Sequence, residues 1–239
     1  MRLNKLALAC VVLGGSALMA ACGGGGGGGG GVTPTTNLSL SGTAALGAPA
    51  VGPVTATCRT GTGTAVSNAD GSFTVNVVNG VGPCLLALTP PGGSPIYSFS
   101  TGAGSSVANI TPMTNLLVTY LLSVPGVSAA DPAAWFALPA TKALLADPVA
   151  LNKRVVEDFI PAVKILVPGL SLTGTNFLST AFTASPTGSA TDADLEKLKV
   201  AGVVSATGAP APAATATLKV QASNDAVVPP APPATGAGS

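Results

Sequence analysis

Histidine is absent from the 239-residue chain. That absence excludes Ser-His-Asp and Cys-His nucleophilic chemistry, and every metal site built on imidazole. Charge is also scarce. Asp, Glu, Lys and Arg together make up 8% of the residues, against roughly a quarter in an ordinary soluble domain. No basic patch is available to neutralise phosphates, so nucleic acid is not an expected partner. No Ser-x-x-Lys sequence is present to supply a Ser-Lys dyad. Aromatic residues are 4% of the chain. Tyr97, Phe99, Trp135 and Phe136 are therefore read as core formers, with a sugar or peptide groove as the alternative.

Long apolar runs are missing too. The stretch from Leu6 to Ala21 is shorter than the roughly 20 residues a spanning helix needs, and nine glycines, Gly23 to Gly31, follow at once. No helix continues through such a run. What remains has the three parts of a secretory signal. Arg2 and Lys5 give a positive start, Leu6 to Leu13 an apolar centre, and small residues lead up to Ala21.

The exit from that segment reads Leu18-Met19-Ala20-Ala21-Cys22. It resembles the lipobox of bacterial lipoproteins, in which an apolar residue and two small ones precede a cysteine. The resemblance implies a signal peptide over residues 1–21 and a diacylated Cys22, usually with a further acyl chain such as palmitate on the new amino terminus. Several chains anchor stably where one does not, at about 0.8 kcal/mol per buried methylene. Met19 stands where the motif usually has Leu, which leaves open ordinary cleavage after Ala21 and a free thiol at Cys22. Gly23 follows the cysteine in place of the Asp that marks inner-membrane retention, so the expected destination is the outer membrane, on either face. Loss of Arg2 and Lys5 leaves the mature chain with a net charge of about −1. Residues 22–36 are then a tether, with a reach of roughly 20 Å for a Gly-rich coil of that length.

With Cys10 discarded and Cys22 lipidated, Cys58 and Cys84 remain as an even pair in an oxidising compartment, which favours a disulfide. A metal site is the alternative, and two cysteines without histidine make a poor one. No cofactor is expected.

Residues 37–111 alternate apolar and polar at 37–43, 53–58 and 72–78, run almost continuously apolar at 84–89, and give further short runs at 96–100 and 107–110, separated by Gly, Pro, Asn and Asp clusters. That pattern predicts a small antiparallel β-sandwich. The strongest turn signal is Asn68-Ala69-Asp70-Gly71, ahead of Phe73. Gly42-Thr43-Ala44, Val54-Thr55-Ala56-Thr57 and Asn68 to Val75 resemble a carboxypeptidase regulatory-like (transthyretin-like) domain over residues 38–111. That family consists of accessory β-sandwiches with no catalytic residues to carry over. The whole chain also resembles uncharacterised lipoproteins of beta-proteobacteria with the same order of tether, two-cysteine sandwich, Asn-Ile-Thr-Pro segment and helices.

The period changes after Ile110. Residues 112–206 form the expected helical region, so the fold class is α+β, with an N-terminal antiparallel sandwich followed by a mainly helical region. Thr111-Pro112, Asp131-Pro132 and Asp147-Pro148 are helix starts. The first helix is apolar enough to be buried, the second is expected to break at Pro139, and Pro161 to kink the third. In the third, Asn152, Val155, Val156, Phe159, Ile160 and Val163 are placed on the apolar side. A short helix spans about 192–200, capped by Thr191 or Asp192. Residues 207–239 are read as an Ala/Pro-rich, mostly disordered tail, with a possible strand at 218–220.

Three patterns invite chemistry. Glu157 and Asp158 are adjacent carboxylates of the kind a glycoside hydrolase pairs, but a helix points neighbours about 100° apart, towards solvent. Asp192, Asp194 and Glu196 suggest calcium, yet lack the loop, Gly and terminal Glu of an EF-hand. Asn109-Ile110-Thr111 fits a glycosylation acceptor, and is read instead as the strand-to-helix junction. The expectation is a non-enzymatic, lipid-anchored envelope protein with a structural or binding role. The alternatives are an accessory subunit docking a partner protein or glycan through the helices and, more remotely, a carboxylate-based hydrolase.

Overall fold

The computed structural model describes residues 37–184 and 189–224, which belong to one compact unit, Thr35–Ser239. Seven strands come first: β1 Asn37–Thr43, β2 Pro53–Thr60, β3 Thr62–Val66, β4 Ser72–Val78, β5 Val81–Leu88, β6 Ile96–Ser100 and β7 Ser106–Val107. They form a three-stranded sheet ordered β4-β1-β7 and a four-stranded sheet ordered β3-β2-β5-β6. The class is α+β.

Period-2 alternation explains how the sheets bury their apolar residues. Leu38 and Leu40 stand opposite Val77 and Val75, and Val54 and Ala56 opposite Leu88 and Leu86. All eight fall in one apolar cluster fed by both sheets. β5 reads as a nearly continuous apolar run because both of its faces are covered. Cys84, Leu86 and Leu88 join the cluster fed by both sheets, while Leu85 joins the cluster that holds the helices' buried residues.

The structure corrects the all-antiparallel expectation, because β7 runs parallel to β1. It also adds β3, whose Thr-Gly-Thr-Ala-Val sequence shows no strong alternation and whose residues are at most partly buried. The Asp-Gly turn is present, but it leads from one sheet to the other. Gly71 takes φ +81°, and a Cβ there would collide with the Ala44 carbonyl. The Ser72 hydroxyl and amide both donate to Asp70 Oδ1, at 2.7 and 2.9 Å, and hold that carboxyl below its ordinary pKa.

The helices are α1 Pro112–Leu121, α2 Pro132–Ala137, α3 Pro139–Ala146, α4 Pro148–Lys153, α5 Ile160–Leu166, α6 Asn176–Ser179, α7 Ala190–Val200 and α8 Pro212–Asn224. Proline opens α1, α2, α3, α4 and α8, where its missing N–H would have no helical partner anyway. Thr111 caps α1 reciprocally with Thr114, while Asp131 and Asp147 cap α2 and α4. α1 is almost wholly buried, as its composition demands. The break at Pro139 is present, with Leu138 extended between α2 and α3.

Pro161 does its work upstream. A π-helical stretch, Arg154–Phe159, lies between α4 and α5. Its wider turn accommodates the carbonyl that a proline ring would clash with and leave unbonded. The buried residues accordingly fall at Leu151, Val155 and Phe159. Asn152, placed with the apolar side by strict helical spacing, is exposed.

Two C-terminal expectations are overturned. Residues 212–224, read as tail with a strand at 218–220, are helix α8, which buries Ala214, Leu218 and Ala222. Alanine's helix propensity, with Pro212 at the start, outweighs the low hydrophobicity of the segment. α7 begins earlier than expected, and its cap is Ser189, whose hydroxyl accepts from the Asp192 amide at 3.2 Å. Residues 225–239 lie outside the described residues.

Candidate functional site

The segment between β7 and α1 organises the seam between strands and helices. Asn109 is fully buried. Its Oδ1 accepts from the Thr43 amide at 3.1 Å, and its Nδ2 donates to the carbonyls of Thr180 at 2.7 Å and Phe177 at 3.3 Å. Its backbone N–H donates to the Leu178 carbonyl at 2.7 Å. One residue thus ties β1 to the short helix α6. With its amide fully engaged, Asn109 is a structural clamp and no acceptor for a glycan. Asn115, on α1, works similarly, accepting from the Tyr97 amide at 3.1 Å.

Beside this clamp lies a cleft of about 90 Å³. β6 contributes Phe99, α4 contributes Pro148, Leu151 and Asn152, and α6 contributes Leu178 and Ser179. Each wall is held from behind. Phe99 packs on Trp135, with ring centroids 6.0 Å apart and planes tilted by 55°. Asp147 Oδ1 accepts from the amides of Val149 and Ala150, at 2.9 and 3.1 Å, and closes the first turn of α4. The Asn109 clamp holds α6.

The other candidate residues are dispersed. Cys58 and Cys84 form a disulfide, directly opposite each other on β2 and β5. Cys22, the signal segment 1–21 and the tether 22–36 lie outside the described residues. Glu157 is exposed and lies 3.9 Å from Lys153, whereas Asp158 pairs with Arg154 at 2.9 Å. Each acid is neutralised along its own helix, and the two do not converge.

Asp192, Asp194 and Glu196 separate as well. Asp194 is buried and accepts from the Ser171 amide, the Ser171 hydroxyl at 2.8 Å and Lys197 Nζ at 2.9 Å. Lys197 also donates to the Gly169 carbonyl, so this group locks the turn before Ser171 onto α7. Glu196 pairs with Lys199 at 3.0 Å, over Gly47, where a Cβ would run into both side chains. Asp192 is only 2% exposed, and its Oδ1 has no hydrogen-bond partner. Burial first, and then the charge of Glu196, push its pKa up. No group of three His, Cys, Asp or Glu residues able to hold a metal occurs among the described residues.

Trp135, Phe136 and Phe99 are core, as the composition suggested. Thr101, Thr175 and Ser179, which line the cleft with Asn152, carry no sequence signal, since isolated hydroxyl residues in loops resemble any others. No family model, curated protein or solved structure matches the chain.

Proposed function

We propose that this protein is a lipoprotein of the bacterial outer membrane, anchored through Cys22, with a non-catalytic structural or binding role. The two sheets are read as an accessory β-sandwich of the carboxypeptidase regulatory-like kind, supporting a helical region. The observation that carries the reading is the Cys58–Cys84 disulfide. Such bonds persist outside the reducing cytosol, which agrees with the export signal and leaves Cys22 as the cysteine to be lipidated. Separate pairing of Glu157 with Lys153 and of Asp158 with Arg154 supports a role without carboxylate catalysis. No helix among the described residues is long and apolar enough to cross a membrane.

Metabolic labelling with palmitate tests this. Label should enter the wild type and be lost in Cys22→Ser, with release of the protein to the soluble fraction. Retention of the variant in the membrane fraction would count against the assignment.

A second reading, docking of a partner protein through the helices, has its own observation. Val149, Ile165 and Val200 are exposed at 77%, 63% and 89%. Val200 also lines a cleft between the end of α5 and α7, together with Leu166, Val167, Pro168, Glu196 and Lys197. Exposed apolar surface of this kind marks contact sites when it is contiguous.

A further inference from the structure

We propose that the cleft between β6, α4 and α6 binds a small neutral polyhydroxylated ligand, the size of a single sugar ring or a short polyol. The inference rests on the binding role proposed above and names its ligand class.

Three features of the cleft define that class. The first is charge. None of the lining residues is ionisable, so a carboxylate, phosphate or ammonium entering it would lose water and gain no counter-charge. The second is the polar inventory. Thr101, Asn152, Thr175 and Ser179 line the cleft, and no hydrogen bond among the described residues occupies their side chains. Three hydroxyls and an amide supply donors and acceptors together, which suits ligand hydroxyls that need both. Apolar area beside them comes from exposed Pro148 and half-buried Val107, over a floor of buried Phe99, Leu151 and Leu178, and suits a C–H edge of a sugar.

The third feature is size and order. A volume of about 90 Å³ accommodates roughly three waters, at a liquid share of about 30 Å³ each. That seats one edge of a pyranose ring or a short polyol and leaves the rest in solvent. The walls are preformed by the Asn109 clamp, the Asp147 cap and the Phe99–Trp135 contact, so little ordering cost opposes binding. A single ring buries little area, and the dissociation constant should be on the order of millimolar.

The test is saturation-transfer NMR on the full-length protein with glucose as the probe. Glucose should give a saturable signal, at least tenfold weaker in Ser179→Leu, which fills the cleft. Asn152→Leu, at an exposed position, provides a second variant, and both should keep the wild-type thermal midpoint. Glucuronate and glucosamine, of like size but charged, should bind several-fold more weakly. Absence of saturable glucose binding overturns the proposal, as does undiminished binding in both folded variants. Equal binding of the charged sugars overturns the neutral class. Palmitate labelling at Cys22 reads anchoring separately. Absence of label from the wild type with glucose binding intact would sink only the envelope assignment, and label in the wild type without glucose binding only the cleft.

Discussion

Asp192 and Asn109 show how differently two buried polar residues contribute. Asn109 satisfies its surroundings completely. Asn109→Ala would leave the Thr43 amide and the Thr180 carbonyl without partners, at about 1–3 kcal/mol for each unsatisfied buried group. The expected outcome is a total loss of about 3 kcal/mol, read from the urea midpoint. Asp192 is the opposite case, a buried carboxyl with an unpartnered oxygen and its pKa raised by burial and by Glu196. A raised folded pKa makes its contribution complete below the unfolded value, near 3.9, and loses it as pH rises through the folded value. Asp192→Asn should therefore raise the urea midpoint at neutral pH, with the advantage shrinking towards pH 3. A variant advantage that grows on acidification would refute the assignment.

At the scale of elements, the disulfide and the proline-headed helices carry most of the local definition. Cys58 and Cys84 are 26 residues apart. Closing a loop of that length restricts the unfolded chain by about 3.5 kcal/mol on the entropic model. The double variant Cys58→Ala, Cys84→Ala should lose stability of that order while keeping its far-UV circular dichroism; an unchanged denaturation midpoint would contradict it. Helix starts were legible because Thr-Pro and Asp-Pro pairs encode a cap and a first turn within two residues. The π-helical stretch was not. It answers a clash between Pro161 and carbonyls upstream, and shifting the phase moved Asn152 from the expected apolar side to the cleft. α8 was hidden for a related reason. Its only large buried residue is Leu218, so the packing against α1 and α5 that adds to alanine's helix propensity leaves no apolar stripe in the sequence.

At the scale of the molecule, the division at residue 111 is a change of secondary structure more than a division of the core. Leu85 and Phe99 come from strands yet belong to the helical cluster, and Asn109 joins β1 to α6. Strands and helices should consequently unfold together. Trp135, the single tryptophan, reports on the helices, and far-UV circular dichroism on the whole. The two denaturation curves should coincide; separate midpoints would show that the seam is weak.

Sequence by itself determined the α+β class, most strand and helix positions, and the Cys58–Cys84 pairing. It also defines the export reading, including Cys22, on residues outside the described structure. These are local properties, set by two- and 3.6-residue periods, capping chemistry and cysteine count. Tertiary structure decided the rest. It set the crossing of the Asp-Gly turn between sheets, the parallel pairing of β7 and the burial of Asp192. It also brought Phe99, Asn152 and Ser179 to one cleft from positions up to 80 residues apart. Those features depend on which surfaces meet, and long-range packing leaves no periodic trace in the chain.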